Sequence, residues 1–460
     1  VDEAFRRIPH PDREGLAEAI RHEAKERGLL LQVGPDRKEP IPIALTPWIF
    51  SPELARYLKS LFRGIRRSVN RILAAYFDDP KLQAVLPLRE NELQWLKASC
   101  PNGIPRPQTL FERFDTNLNS QAEDHLADFQ IIEFNAVGVG CIHLMPSASE
   151  LIETHLIPRL NASLKGLVLK RSDDLRDMLL AELRAHAQAL SCGSFRLGLV
   201  ERRESVPGGC DEFCHLATYF QSKGVPTVVG DPREVEWDGQ DEFRLKGEVV
   251  DVLYRDFQLE EVVSIKTHGG MVDGIEAAFS ANRVVSTVFG EFDHKSLCEI
   301  LSSPEFLDRL SPQEVRTIAP HIPWTRLLNE RKTTGPKGEP IDLVPFVRKE
   351  RQRLVLKPNR GYGGEGVVVG EWVDDSVWQN ALGRALEKPG SWVVQEQVRI
   401  ARQPIWILQG EGQVQQEELY VTLGITATAR GVGFVGRCSS HPVVNVSQGG
   451  GLIPVFLAMR

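Results

Sequence analysis

The stretch LVLKPNRGYGGEGVVVG, Leu354–Gly370, sets Lys357 at the end of an apolar run, follows it with four glycines between positions 361 and 366, and closes on a second apolar run. Two readings are open: a β-hairpin whose glycines only let the chain turn, or a flap that covers a phosphate. Gly361, Gly363, Gly364 and Gly366 can take positive φ without steric cost, which suits a turn and equally suits close approach of backbone to a ligand. The valine- and leucine-rich runs on either side predict strand, loop, strand. A Walker loop would need the glycines followed by Gly-Lys-Ser/Thr and a helix, and a dinucleotide fingerprint would need them to open a helix. Here the lysine comes first and a strand follows. The phosphate reading therefore takes one form, a mobile hairpin whose N–H groups meet phosphate oxygens beside a strand-borne lysine.

Working outward, WVVQEQV at 392–398 is an apolar strand ending in Gln395, Glu396, Gln397 and Val398. Such an end can offer backbone groups to an adenine edge and a carboxylate to ribose hydroxyls, or it can simply emerge into solvent. Upstream, FGEFDHKSLCEIL places Lys295 at the start of a helix just beyond a strand end, as a solvated lysine or as a second cation aimed at a triphosphate. Asp115 in FERFDTN precedes Glu133 and Asn135 in IIEFNAVG. On a strand, positions 133 and 135 share a face while Phe134 points away. Oxygen ligands on one face, opposite a carboxylate from a neighbouring strand, suit octahedral Mg²⁺ shared with phosphate oxygens; a solvent-facing polar strand is the alternative. The apolar run FQIIEF implies burial, and a buried Glu133 would need a cation beside it. Near the C-terminus, VGRCSSHPVVNVSQGGGLIPVFL adds Arg437, Asn445 and Gly449–Gly451, the last marking close approach or a wide turn.

A chain of 460 residues predicts two or three packed units. With 55 Lys+Arg against 62 Asp+Glu, the net charge of −7 gives no electrostatic basis for general nucleic-acid binding. No apolar run approaches the ~20 residues of a membrane span. The N-terminus VDEAFRRIPHPDREG is charged from its second residue, unlike a signal peptide, so a cytoplasmic protein without a membrane partner is expected. The seven cysteines are sparse and predict reduced thiols. In CDEFCH, Cys210, Cys214 and His215 could begin a zinc site, but no second Cys/His pair of suitable spacing follows, and a helix packed on a sheet is the better expectation. Residues 1–104 read mainly as helices and predict a helical cap. Residues 105–165 carry the acidic strands, 166–292 alternate strand and helix as a small doubly wound sheet, with VEWDGQDEFRLKGEVV (235–250) as a hairpin and RVVSTVFG (283–290) as a strand, and 293–460 hold both lysines and a run of strands and hairpins. Arg255 in LYRDFQ ends a strand of the small sheet, where it could pair with a substrate carboxylate or form a structural salt bridge.

With these motifs in place, the chain resembles an ATP-grasp enzyme of the circularly permuted kind, similar to the ligase domain of glutathionylspermidine synthase and its bacterial relatives. The order of motifs carries the resemblance: EFN precedes both lysines, whereas the metal-binding Glu-x-Asn follows them in unpermuted members, and VVNVSQGGG closes the chain. It spans about 105 to 460 in five short motifs. The implied fold is α+β to α/β, a circularly permuted ATP-grasp core with a small doubly wound pre-ATP-grasp sheet and the N-terminal helical region; 105–165 would be its metal-binding part and 293–460 its ATP-binding subdomains. The resemblance implies ATP and Mg²⁺ as cofactors. It places Lys295 and Lys357 at phosphates, Asn445 at a phosphate or metal contact, the Gly361–Gly366 flap with Tyr362 over the phosphates, and Gln395–Val398 at the adenine. Asp115, Glu133 and Asn135 would bind Mg²⁺, while Arg113 and Arg437 would stabilise the transferred phosphoryl or an acyl-phosphate. The implied activity is a carboxylate–amine ligation through that intermediate, on amino acids, peptides or polyamines, with a homodimer left open. A nucleotide-binding scaffold and a phosphotransferase of the same fold are the alternatives. The first 100 residues match no part of the family, and no amidase domain accompanies the ligase.

Overall fold

Alternating apolar residues in the last third of the chain build its widest sheet. In the computed structural model, which describes residues 1–34, 37–100, 103–118, 129–161, 168–205, 211–409, 414–446 and 449–459, seven strands follow the order Arg402–Leu408, Ile43–Ala44, Gly451–Ile453, Val432–Ser439, Val414–Ala427, Arg113–Thr116 and Ile131–Asn135. Arg402–Leu408 also pairs with the first half of Val414–Ala427, so five of these strands close into a ring. The period of two sorts the acidic strands into two faces. Phe114 and Phe134 pack edge to face, ring centroids 5.2 Å apart, and Phe114 meets Phe62 at 4.7 Å. Phe62 belongs to the helix Pro52–Leu73, whose apolar residues Leu54, Leu58, Leu61, Ile65, Val69 and Ile72 recur at three and four and are buried. Ser51 caps that helix by accepting from the Leu54 amide at 3.1 Å. The opposite face is left for the polar set.

The expected helical cap needs correction. Ile43–Ala44 lies parallel to Gly451–Ile453 inside the wide sheet, and Trp48–Phe50 runs parallel to Val455–Met459, which pairs on its other side with Val168–Arg171. The first hundred residues are thus woven into the C-terminal strands as well as supplying helices.

The small sheet is fully parallel, in the order Val284–Val285, Val252–Asp256, Leu197–Glu201, Thr227–Gly230. RVVSTVFG, expected as a full strand, contributes only Val284–Val285 before the chain turns into the 3₁₀ segment Val288–Phe292. The expected hairpin at 235–250 is a three-stranded meander, Val235–Trp237, Phe243–Leu245 and Glu248–Val250. Cys210 of CDEFCH lies outside the described residues. Cys214 and His215 sit on the helix Glu212–Ser222, which buries Phe213, Leu216, Ala217 and Phe220, and His215 stacks on His143. No group of three or more His, Cys, Asp or Glu that could hold a metal exists among the described residues.

A third, antiparallel sheet runs Thr325–Leu327, Trp392–Glu396, Leu354–Pro358, Val368–Val369. Leu354, Leu356 and Val394 on one face meet fully buried Trp378 of the helix Asp375–Leu386. Val355, Lys357 and Gln395 consequently share the other face. Among the described residues, no helix is long and apolar enough to cross a membrane.

Candidate active site

The floor of the site is the polar face of the two acidic strands. Arg113 pairs with Asn135 and Asp115 with Glu133 across an antiparallel ladder, so four polar side chains project together. Asp115 is the hub: Arg113 donates from Nε to Oδ1 at 2.8 Å and from Nη2 to Oδ2 at 3.2 Å, Arg437 Nη2 stands 2.8 Å from Oδ1, and Asn135 Nδ2 donates to Oδ2 at 3.2 Å. Burial works against ionising Asp115, but the two guanidiniums outweigh it and hold its carboxyl well below the usual carboxylate range. Gly424 makes this packing possible, since a Cβ there would lie 2.5 Å from Arg113 Cδ and 3.0 Å from Asp115 Oδ1.

Glu133 is half-buried rather than buried, and the cation that the sequence requires is Lys295, whose Nζ is 3.4 Å from Glu133 Oε2. Lys295 Nζ also donates to the Gly361 carbonyl at 2.6 Å. Lys357 Nζ donates to Gln395 Oε1 at 2.6 Å, and Gln395 Nε2 donates in turn to Thr325 Oγ1 at 3.0 Å. Burial, assisted by Lys295 and opposed by Glu133, lowers the Lys357 pKa to about 8. The two lysines are fixed to one another through Asn359, a residue the sequence reading missed. Its backbone carbonyl accepts from the Lys295 amide at 3.0 Å, and its side-chain oxygen accepts from the Ser296 amide at 2.9 Å.

The glycine hairpin lies over this floor. Gly363, Gly364 and Gly366 have φ of 71°, 75° and 74°, as a turn of this kind requires; Gly361 does not enter that region. The tip seats against the C-terminal segment, where a Cβ at Gly364 would come within 2.3 Å of Val443 Cγ1 and one at Gly363 within 3.2 Å of Asn445 Nδ2. Tyr362 ties the flap down: its hydroxyl donates to Asp293, 3.3 Å from each carboxylate oxygen, and accepts from Gln258 Nε2. Asp293 Oδ2 also accepts from the Ala136 and Val137 amides at 3.0 and 3.3 Å, so flap, small sheet and acidic strand share one anchor. Burial and the neighbouring Glu291 raise the Asp293 pKa to about 6 despite those amides.

One cleft of about 1650 Å³ runs beneath the flap. Arg113, Asp115, Glu133, Asn135 and Arg437 line its floor; Lys295 and Lys357 line its wall; Gly361–Gly364 and Asn445 cover it; Gln395–Val398 close one end. Gly366 is not on the lining and instead shapes the hairpin neck, where a Cβ would lie 3.0 Å from Pro358 Cγ. Gln395 turns its side chain to Lys357, leaving Glu396 and Gln397 as the half-buried end of that strand, and Asp115 has both oxygens committed to guanidiniums and an amide.

The far end of the cleft was not anticipated. Asp256 and Glu201 pair in register at the carboxyl ends of two parallel strands, where open α/β sheets present their ligand crevice, and both line the cleft with Glu212. Burial and repulsion from Asp256 raise Glu201 to about 7, and burial and repulsion from Glu212 raise Asp256 to about 6. Arg255, pointing to the opposite face, is a structural ion pair. It is 1% exposed, bonded to the Glu291 carboxylate and to the Ser286 and Phe257 carbonyls, and does not reach the cleft.

No family model matches the chain, and no curated protein matches it significantly in sequence. The solved structure of a glutathione synthetase-like effector from Globodera pallida, in its apo form, is similar over 96% of each chain at 12% identity, with a TM-score of 0.66. That likeness is one of fold. A candidate gamma-glutamylcysteine synthetase from Methylobacillus flagellatus covers 89% of each chain at 13% identity and a TM-score of 0.39, too low to carry an argument.

Proposed function

We propose that the chain is an ATP- and Mg²⁺-dependent carboxylate–amine ligase of the ATP-grasp type, with its motifs in circularly permuted order. The observation that carries this reading is convergence: two buried lysines from different elements and a Glu-x-Asn strand meet under a glycine flap in one cleft, although EFN lies more than 150 residues before either lysine. The fold shared with a glutathione synthetase-like protein supports it.

In this reading Lys295 and Lys357 hold the phosphates, the strand end Glu396–Val398 borders the adenine, and the flap excludes water that would hydrolyse an acyl-phosphate. Oxygen donors suit a hard cation, and Glu133 with Asn135 would hold Mg²⁺; Asp115 would join them only by releasing a guanidinium. The ion would neutralise charge on the β- and γ-phosphates. The γ-phosphoryl moves to a carboxylate oxygen as its bond to ADP breaks. The amine then attacks the acyl carbon, loses a proton, and expels inorganic phosphate. Arg113 and Arg437, locked by Asp115, face the charge that develops, and most of the demand is positioning and electrostatics.

The test is a screen of amino acids, peptides and polyamines with Mg-ATP, reading ADP and the product mass. ADP with an amide supports the ligase; ADP with a stable phosphorylated product would replace it with a phosphotransferase, and nucleotide binding without ADP would replace it with a scaffold.

A further inference from the structure

Strand Val414–Ala427 forms part of the cleft floor, and its residue Thr422 stands directly opposite Arg437 in the antiparallel register. Thr422 is 5% exposed, lines the cleft, and its buried Oγ1 has no hydrogen-bond partner among the described residues. Buried hydroxyls normally find one. Two other buried threonines do: Thr116 donates to the Leu423 carbonyl at 2.9 Å and Thr325 to the Pro323 carbonyl at 2.9 Å. Thr426, four residues on, shares the lack of a partner but lies off the cleft, so only Thr422 can meet a ligand there. Packing alone would be served by valine, as at Val421 and Val435 on the same two strands.

The neighbouring guanidinium is incomplete in the same way. Arg437 commits Nη2 to Asp115 Oδ1 at 2.8 Å, while its buried Nε has no partner. Opposed residues of an antiparallel pair carry their Cβ atoms roughly 4.5–5.5 Å apart. A hydroxyl and a guanidinium N–H, both unfilled, thus stand side by side on the floor. The complementary ligand is an acceptor of two hydrogen bonds, an oxyanion.

We propose that Thr422 is a catalytic residue of the ligase, donating its hydroxyl to an equatorial oxygen of the transferring phosphoryl group that Arg437 also holds. The inference rests on the ligase reading and adds a contact to it. As the γ-phosphorus leaves the ADP oxygen and bonds to the carboxylate oxygen, charge spreads over its equatorial oxygens, where fixed donors act most strongly. No further reactant is needed.

The experiment measures ADP binding to the full chain by calorimetry with Mg²⁺, without and with aluminium fluoride, whose complex with ADP mimics the transferring phosphoryl. Thr422→Val keeps the shape and removes the hydroxyl; Thr422→Ser keeps the hydroxyl. Wild type should bind ADP more tightly with fluoroaluminate. Thr422→Val should bind ADP alone as wild type does and lose at least about tenfold of the added affinity, as expected for a hydrogen bond to a charged group, and Thr422→Ser should restore it. Equal tightening in wild type and Thr422→Val overturns the inference and leaves the ligase reading intact. ADP binding without any fluoroaluminate effect in wild type also overturns it. Absence of ADP binding in wild type overturns both.

Discussion

Lys357 is buried against Gln395 and Thr325, and its ammonium holds its proton only up to about pH 8. A triphosphate needs the charged form. With a folded pKa below the usual lysine value, the charge is present below about pH 8 and lost above it, so ATP affinity should weaken as pH rises from 7 to 9, and binding near pH 8 should take up a proton. Calorimetry in two buffers of different ionisation enthalpy checks this; affinity that is flat over that range, with no proton uptake, would remove Lys357 from the phosphates. Asp115 makes a separate claim. Removing its charge strands two buried guanidiniums, so Asp115→Asn should cost about 3–5 kcal/mol of stability in denaturant unfolding, whereas a residue serving only as a metal ligand would cost little in the metal-free protein. Since the Asp115 pKa is depressed on folding, its stabilisation is complete above the ordinary carboxylate range and drains away as pH falls below it. Lys357, Glu133 and Asn135 were legible because local patterning marks them. The Asp115–Arg437 pair, Thr422 and the Glu201–Asp256 pair were not, because they depend on registers between distant strands.

Among the elements, the flap was the most legible: glycines between two β-type runs predict a hairpin, and Gly363, Gly364 and Gly366 adopt the required positive φ. What it rests on was invisible, since Val443 lies about 80 residues downstream in a segment without periodicity. Alanine at Gly364 meets both a positive φ and a contact of 2.3 Å with Val443 Cγ1. Gly364→Ala should therefore lower turnover at least about tenfold, while strain at one half-buried turn residue costs about 1–2 kcal/mol of stability. A thermal melt beside an ADP-release assay separates the two; full activity would mean that the tip need not seat on Val443. The misread strand at 283–290 has a similar cause. Its valines and threonine have β propensity, but only Val284 and Val285 find a partner strand.

For the whole molecule, the α+β architecture of several sheets followed from alternation of patterns. In the N-terminal hundred residues the helices were legible, but the short strands Ile43–Ala44 and Trp48–Phe50 were not, because they are two or three residues long and pair with the other end of the chain, below what periodicity can reveal. Since Ile43–Ala44 and Trp48–Phe50 complete sheets with the last nine described residues, a fragment of residues 105–460 should fail to fold. Circular dichroism melting of that fragment checks this, and a cooperative melt with retained nucleotide binding would contradict it.

The central claim, activation of a carboxylate by phosphoryl transfer before an amine attacks, is tested most directly by supplying the acid found in the screen with ¹⁸O in its carboxylate and weighing the phosphate released. The acyl-phosphate route moves one labelled oxygen into each inorganic phosphate formed with the amide. Unlabelled phosphate accompanying amide formation would contradict it.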